Sequence, residues 1–184
     1  MSYDIEIEKF RDGILMMNTR RFGNVAEIMI EKLYNLEGSD NLAFDKRDTN
    51  TNDRVEVKFS RTQEKNNDTI NINNVIEQIG KANVLDRMIK STEAEVVEFD
   101  CNIQQIKCEE FDVLYYGLFF ADIIEIYKMT SHDIPNCQGY SNKQHRNNEG
   151  EGQFHINNTS IKYHRENFFE RFLNYSELFE LLKD

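Results

Sequence analysis

The stretch NLAFDKRDTNTNDRVEVKFSRT, residues 41–62, constrains the chain more than any other. Thr49, Asn50, Thr51, Asn52 and Asp53 are turn formers, and they separate two short runs of alternating, β-prone residues. Asn and Asp side chains bond nearby backbone and tolerate left-handed conformations, so this pattern predicts a β-hairpin. A turn centred between Asn50 and Thr51 pairs residues whose numbers sum to 101. Asp45 then faces Glu56, and Ala43 faces Lys58. Because strand side chains alternate faces, Glu56 and Lys58 share one side and Val57 takes the other.

That register has an electrostatic consequence. Opposed Cβ atoms lie about 5 Å apart, and two carboxylates at that distance repel by roughly 3 kcal/mol at an effective dielectric near 20. Positive charge must compensate. Lys58 supplies part of it, and two hard oxygen ligands on rigid strands, with water at other positions, suit Mg²⁺. A metal there can activate water and neutralise charge on a phosphate under attack. An amine beside such a metal can have its proton affinity lowered, which would let Lys58 stabilise or deprotonate the nucleophilic water. The plainer reading is a solvated hairpin face with cross-strand ion pairs.

Helix signals surround the hairpin. Residues 4–18 read as helical. In RRFGNVAEIMIEKLYNLEG, Val25, Ile28, Met29, Leu33 and Leu36 recur at helical spacing, and Gly38 is placed to end the helix. Residues 69–89, with Ile72, Val75, Ile76, Ile79, Val84, Leu85 and Met88, predict another helix, interrupted near Gly80. A strand is expected over 95–107, and the apolar run 111–128 is a buried strand joined to a following element. The Asn, Gln and Gly content of 136–153 predicts an exposed loop. The tail NFFERFLNYSELFELLKD reads as an amphipathic helix, with Ser176 as a cap for its second half. The expected class is therefore mixed α/β or α+β: one domain over residues 1–184, with a central mixed sheet that carries the hairpin and is flanked by helices.

The combination of RFGNVAEIMIEKL, LAFD and RVEVKFSR, about the first third of the chain, resembles the PD-(D/E)xK nuclease superfamily, especially its small type II restriction endonucleases. In that family a glutamate-bearing helix precedes a hairpin with an aspartate and an E-x-K or D-x-K triplet. The resemblance implies a restriction-endonuclease-like fold and Mg²⁺-dependent, sequence-specific hydrolysis of duplex DNA by in-line attack of a metal-activated water. It implies that Asp45, Glu56 and the backbone carbonyl of Val57 hold the metal, that Lys58 acts on the water, and that Glu27 matches the helix glutamate. It further implies a homodimer with one active site per strand and a cognate methyltransferase. Phe44 stands where many members have proline. Asp53 competes as the first acid, but lying three residues before Glu56 it points to the opposite face of a straight strand. Relatives in the same fold include repair nucleases and junction resolvases. A non-catalytic DNA-binding subunit is the rival of a different class.

Charge and composition bear on the partner. The chain has 184 residues and a net charge of -11, which ordinarily opposes phosphate binding. Residues 43–65 nevertheless carry six basic and five acidic side chains, and residues 141–165 carry Lys143, Arg146, Lys162 and Arg165 against Glu149 and Glu151. Arg61 and Lys65 are placed to grip phosphates. In the loop, Lys143, Gln144, His145, Arg146 and Asn147 offer cations for phosphates and amides for base edges, and Gln104 and Gln105 are weaker base readers. Cys137, His145, His155 and His164 are separated by seven, nine and eight residues, unlike the tight pairs of structural zinc sites. No G-x4-G-K-[ST] phosphate loop occurs, so ATP-driven translocation is not expected. Three cysteines without C-x-x-C spacing, no basic-then-apolar leader and no apolar run of membrane-spanning length lead to the expectation of a cytoplasmic protein without a membrane partner.

Overall fold

A computed structural model describes residues 2–143 and 149–183. The chain opens with α1 (Tyr3–Met16) and α2 (Thr19–Tyr34). Asn18 caps α2 by accepting the backbone N–H of Arg21 at 3.1 Å. The helix ends at Asn35, which takes the left-handed conformation (φ 52°) expected of Gly38. Gly38 instead belongs to β1 (Glu37–Gly38). The face of α2 that is buried consists of Phe22, Ala26, Met29 and Ile30, while Ile28, assigned above to the apolar face, is exposed.

The hairpin forms as expected, from β2 (Lys46–Arg47) and β3 (Arg54–Arg61). The chain then crosses over through α3 (Val75–Gly80) and β4 (Asp100–Ile106) to β5 (Val113–Phe119), which pairs with β3 in parallel. The apolar run beginning at Phe111 resolves into β5 and its antiparallel neighbour β6 (Ile123–Thr130). After β7 (Ser141–Lys143) and β8 (Glu149–Asn157) come α4 (Ile161–Phe168), β9 (Phe169–Asn174) and α5 (Tyr175–Lys183). Six strands form a mixed sheet in the order β1-β2-β3-β5-β6-β9, and β4-β8-β7 form a second, antiparallel sheet.

The large sheet is covered on both faces. Helices α1, α2 and α5 pack against Val55, Val57, Tyr115, Phe119, Ile124 and Leu173, while β4, β8 and α4 pack against Leu114, Tyr116, Leu118 and Tyr127. Such two-sided burial explains why VLYYGLF lacks polar alternation. Gly117 lies where the packing is tightest: a Cβ there would run into the Glu125 carbonyl oxygen and the Phe59 ring.

Four further expectations change. The helix expected over 69–89 shrinks to α3 and a 3-10 turn at Leu85–Arg87. Asn66, Asn71 and Asn74 accept the backbone N–H groups of Asp68, Asn73 and Asn71, local bonds that compete with a helix, and Ile72, Ile76 and Ile79 are left exposed. The strand expected from residue 95 begins at Asp100. The expected loop 136–153 contains β7 and the start of β8. The tail is helix, strand, helix, because Phe169–Asn174 pairs with the edge of β6. Asn174, not Ser176, caps α5, exchanging bonds with Glu177: its carboxamide accepts the Glu177 N–H and its own N–H donates to the Glu177 carboxylate, each at 2.8 Å. Among the described residues no helix is long and apolar enough to cross a membrane.

Candidate active site

The hairpin register is the one the turn predicts. Lys46 pairs with Val55 and Arg47 with Arg54; the ladder stops there, and Asp45, the next residue, has its carboxylate within electrostatic reach of Glu56. The turn is closed by Asp48, whose carboxylate accepts the Asn50 N–H at 2.8 Å, and by Asn52 in the left-handed region (φ 65°). Asp53 belongs to this turn and accepts the Thr51 hydroxyl at 2.7 Å. Asp45 stands at the bend just before β2 and is tied to β3: its N–H donates to the Val55 carbonyl at 3.0 Å, and its Oδ2 accepts the Val57 N–H at 2.9 Å. The two aspartates that competed on sequence therefore occupy different environments, and Asp45 is the one beside Glu56.

β2 has two residues and β3 has eight, so beyond Val55 the hairpin edge of β3 has no strand partner. The Asp45 carboxylate occupies the beginning of that edge. Since the N–H and C=O of one strand residue point to the same edge, the Val57 carbonyl is directed to the edge where Asp45 holds the Val57 amide.

Glu56 is buried, at 8% exposure, and the Lys58 ammonium forms a close ion pair with it on the same face of β3. Burial pushes the Glu56 carboxyl up to about 7, with Asp45 and Glu110 adding to the rise and Lys58 opposing it. Burial alone would lower Lys58, but Glu56, Asp45 and Glu27 outweigh it, and the ammonium is held above its ordinary range. The lowering expected above belongs to an amine beside a bound metal; with the protein groups alone, the three carboxylates hold the proton on Lys58.

Glu27 reaches the cluster from α2. Burial and then Asp45 raise its carboxyl, while Lys46 and Lys58 pull it back. Lys46, nearly buried, bonds Glu31 one turn further along α2 at 2.5 Å and so fastens the hairpin to the helix. Glu27, Asp45 and Glu56 are thus each brought within electrostatic reach of Lys58, and Asp45 within reach of both glutamates. Sequence reasoning missed Glu110. It follows β4, and only the crossover packing brings its charge to Glu56; its carboxylate bonds Lys107 at 3.3 Å.

The donor set suits a hard divalent cation. Asp45 and Glu56 are carboxylates, the Val57 carbonyl faces the same edge, and Glu56 carries burial that Lys58 does not fully offset. Among the described residues no group of three or more His, Cys, Asp or Glu side chains converges as a metal-holding cluster. A cation held here would have two carboxylates and a backbone oxygen from the protein, with water supplying the remaining ligands.

The other candidates are dispersed. Arg61 donates through one terminal nitrogen to the Leu15 and Met17 carbonyls at 2.7 and 2.8 Å and stacks on Phe22. Lys65 is exposed and pairs with Glu98 at 3.2 Å. Gln104 and Gln105 are exposed on β4, Gln105 in the left-handed region (φ 59°) at a bulge. Lys143 is exposed on β7, and Gln144, His145, Arg146 and Asn147 lie outside the described residues. His155 bonds Asp100 at 2.8 Å, whereas His164 is fully buried with Nδ1 2.9 Å from the Tyr116 hydroxyl, so these histidines serve separate surroundings. In comparison with known proteins, no family model and no curated protein matches the chain.

Proposed function

We propose that the chain is a Mg²⁺-dependent endodeoxyribonuclease of the type II restriction class, with a restriction-endonuclease-like fold and a cytoplasmic location. The observation that carries this reading is the bond from the Val57 N–H that holds the Asp45 carboxylate at the edge of β3, within electrostatic reach of Glu56, with the Lys58 ammonium on Glu56 and the Val57 carbonyl at the same strand edge. Double-stranded DNA is the proposed substrate, with a homodimer cutting both strands of a twofold site and a methyltransferase protecting the host sequence.

Asp45, Glu56 and the Val57 carbonyl would hold the ion, and Mg²⁺ bound there supplies a charge that acidifies water and offsets the phosphate. The protein's own groups do the positioning. The Val57 N–H fixes one oxygen of Asp45 and so orients the other. Lys58, kept protonated by its carboxylate neighbours, donates hydrogen bonds to the nucleophile and to the phosphate oxygens as charge builds on them. Glu27 adds an acceptor at the helix side of the cluster.

Digestion of a sequenced plasmid in Mg²⁺ and in EDTA, followed by end mapping, tests the proposal. Discrete fragments that require Mg²⁺ and share a sequence at their ends support it. A preference for branched DNA moves the assignment to a junction resolvase or repair nuclease, and binding without cleavage moves it to a DNA-binding subunit.

A further inference from the structure

A cleft of about 400 Å³ opens where β3 ends, starting at Phe59 and Ser60, just after Lys58. Thr19, Gln63 and three cations, Arg61, Lys65 and Arg87, line it. Arg87 comes from the 3-10 turn after α3 and is brought there by the Gln63–Met88 bridge and the bond from the Glu64 N–H to the Arg87 carbonyl at 2.8 Å.

The two guanidiniums are unusual in their partners. Among the described residues the Arg61 side chain hydrogen-bonds only the Leu15 and Met17 carbonyls, and that of Arg87 only the Gln63 carboxamide at 2.7 Å. Neither has a carboxylate within ion-pair distance among the described residues, although the chain carries 33 acidic residues against 22 basic ones. Each guanidinium has five N–H donors, so most are unspent. The Arg87 Nε is buried without any hydrogen-bond partner. Of the acidic groups at the cleft, Asp100 is engaged by His155, and Glu64 stands exposed at the rim. A buried donor without an acceptor is costly, and two guanidiniums lining one cleft without a carboxylate partner suit an oxyanion.

We propose that this cleft binds a backbone phosphate of the polynucleotide, with Arg87 and Arg61 as its principal ligands and Lys65 at the mouth. The assignment to a polynucleotide rests on the nuclease reading above. Arg61 lies three residues beyond Lys58 on β3, about 10 Å along the strand at about 3.3 Å per residue. By strand alternation Arg61 turns to the face of β3 opposite Lys58, so the cleft at the end of β3 would hold a phosphate several nucleotides away from the one at Lys58 and not its neighbour.

The test measures binding without cutting. Anisotropy of a fluorescein-labelled duplex is followed against KCl in EDTA for the wild type, Arg87→Gln and Lys65→Gln, with inorganic phosphate as competitor and thermal melting to check folding. Arg87→Gln is expected to weaken duplex binding severalfold and to reduce the slope of log affinity against log salt by about 1, the value of one lost phosphate contact. Phosphate is expected to compete less well with the variant. Lys65→Gln, at an exposed position that does not endanger the fold, is expected to shift binding in the same direction. Unchanged affinity and slope in both variants overturns the proposal. Loss of phosphate competition with duplex binding intact also overturns it, leaving a site for a free anion. Because binding is measured without a divalent ion, a wild type that binds in this way but does not cut in the separate Mg²⁺ digestion defeats the nuclease reading and leaves the phosphate cleft standing.

Discussion

The carboxylate of Asp45 accepts the backbone N–H of Val57 at 2.9 Å, across the hairpin and twelve residues away in sequence. This bond takes the place of a strand pairing that β2 is too short to make. It also holds an acid against the Glu56 and Lys58 pair, so one contact serves both the sheet edge and the candidate site.

If Lys58 acts on the water and the phosphate, Lys58→Ala should reduce cleavage by at least about a hundredfold, the usual contribution of a donor aimed at developing transition-state charge. Removing the amine leaves Glu56 buried without its ion pair, but the sheet pairing of β3 with β5 is untouched. Plasmid cleavage rates, thermal melting and duplex binding check this together. Unchanged cleavage by the folded variant sinks the assignment.

The two aspartates of the hairpin can be separated directly. Asp45→Asn keeps an oxygen for the Val57 N–H and loses only charge, so activity should fall by about a hundredfold or more with little change in stability. Asp53→Asn alters a turn contact with Thr51 and should change stability by no more than about 1 kcal/mol, with cleavage unaffected. Urea unfolding and initial cleavage rates of the pair would expose a reversed order.

Gly117→Ala should be strongly destabilising, by about 3 kcal/mol. The new methyl group would meet the Glu125 backbone and the Phe59 ring between two paired strands, where neither can move away cheaply. A urea midpoint close to that of the wild type would contradict the packing described for β5.

His164 makes stability depend on pH. Burial lowers its imidazole from 6.5 to about 4. Between those values the unfolded chain binds a proton that the folded protein refuses. The contribution is therefore complete above about 6.5 and is lost as pH falls toward 4, at up to about 1.4 kcal/mol per pH unit. Unfolding free energies of wild type and His164→Asn, compared from pH 7 to 5, should converge as pH falls. Parallel curves would show that the histidine is not buried in its neutral form.

The local parts of this protein were legible from residue order. The turn residues around Asn50 and Thr51 determined the hairpin register, and with it the meeting of Asp45 and Glu56, because a short turn permits few closures and each register assigns every side chain to a face. The helical spacing before it located α2 and Glu27, although the buried face turned out to centre on Ala26, Met29 and Ile30.

Elements that depend on distant partners were not legible in this way. FERFLN continues a run with the apolar content of a helix, yet it became β9 because β6 offered an unpaired edge. The isoleucines at 72, 76 and 79 had helical spacing but no surface to cover. Glu110 beside Glu56, and Arg87 beside Arg61, are products of the long crossover between parallel strands. Sequence alone determined what a few neighbouring residues can settle through backbone bonding and turn closure. Tertiary structure decided which sheet edges and apolar faces were left to be filled, since those depend on the free energy of burial summed over segments far apart in the chain.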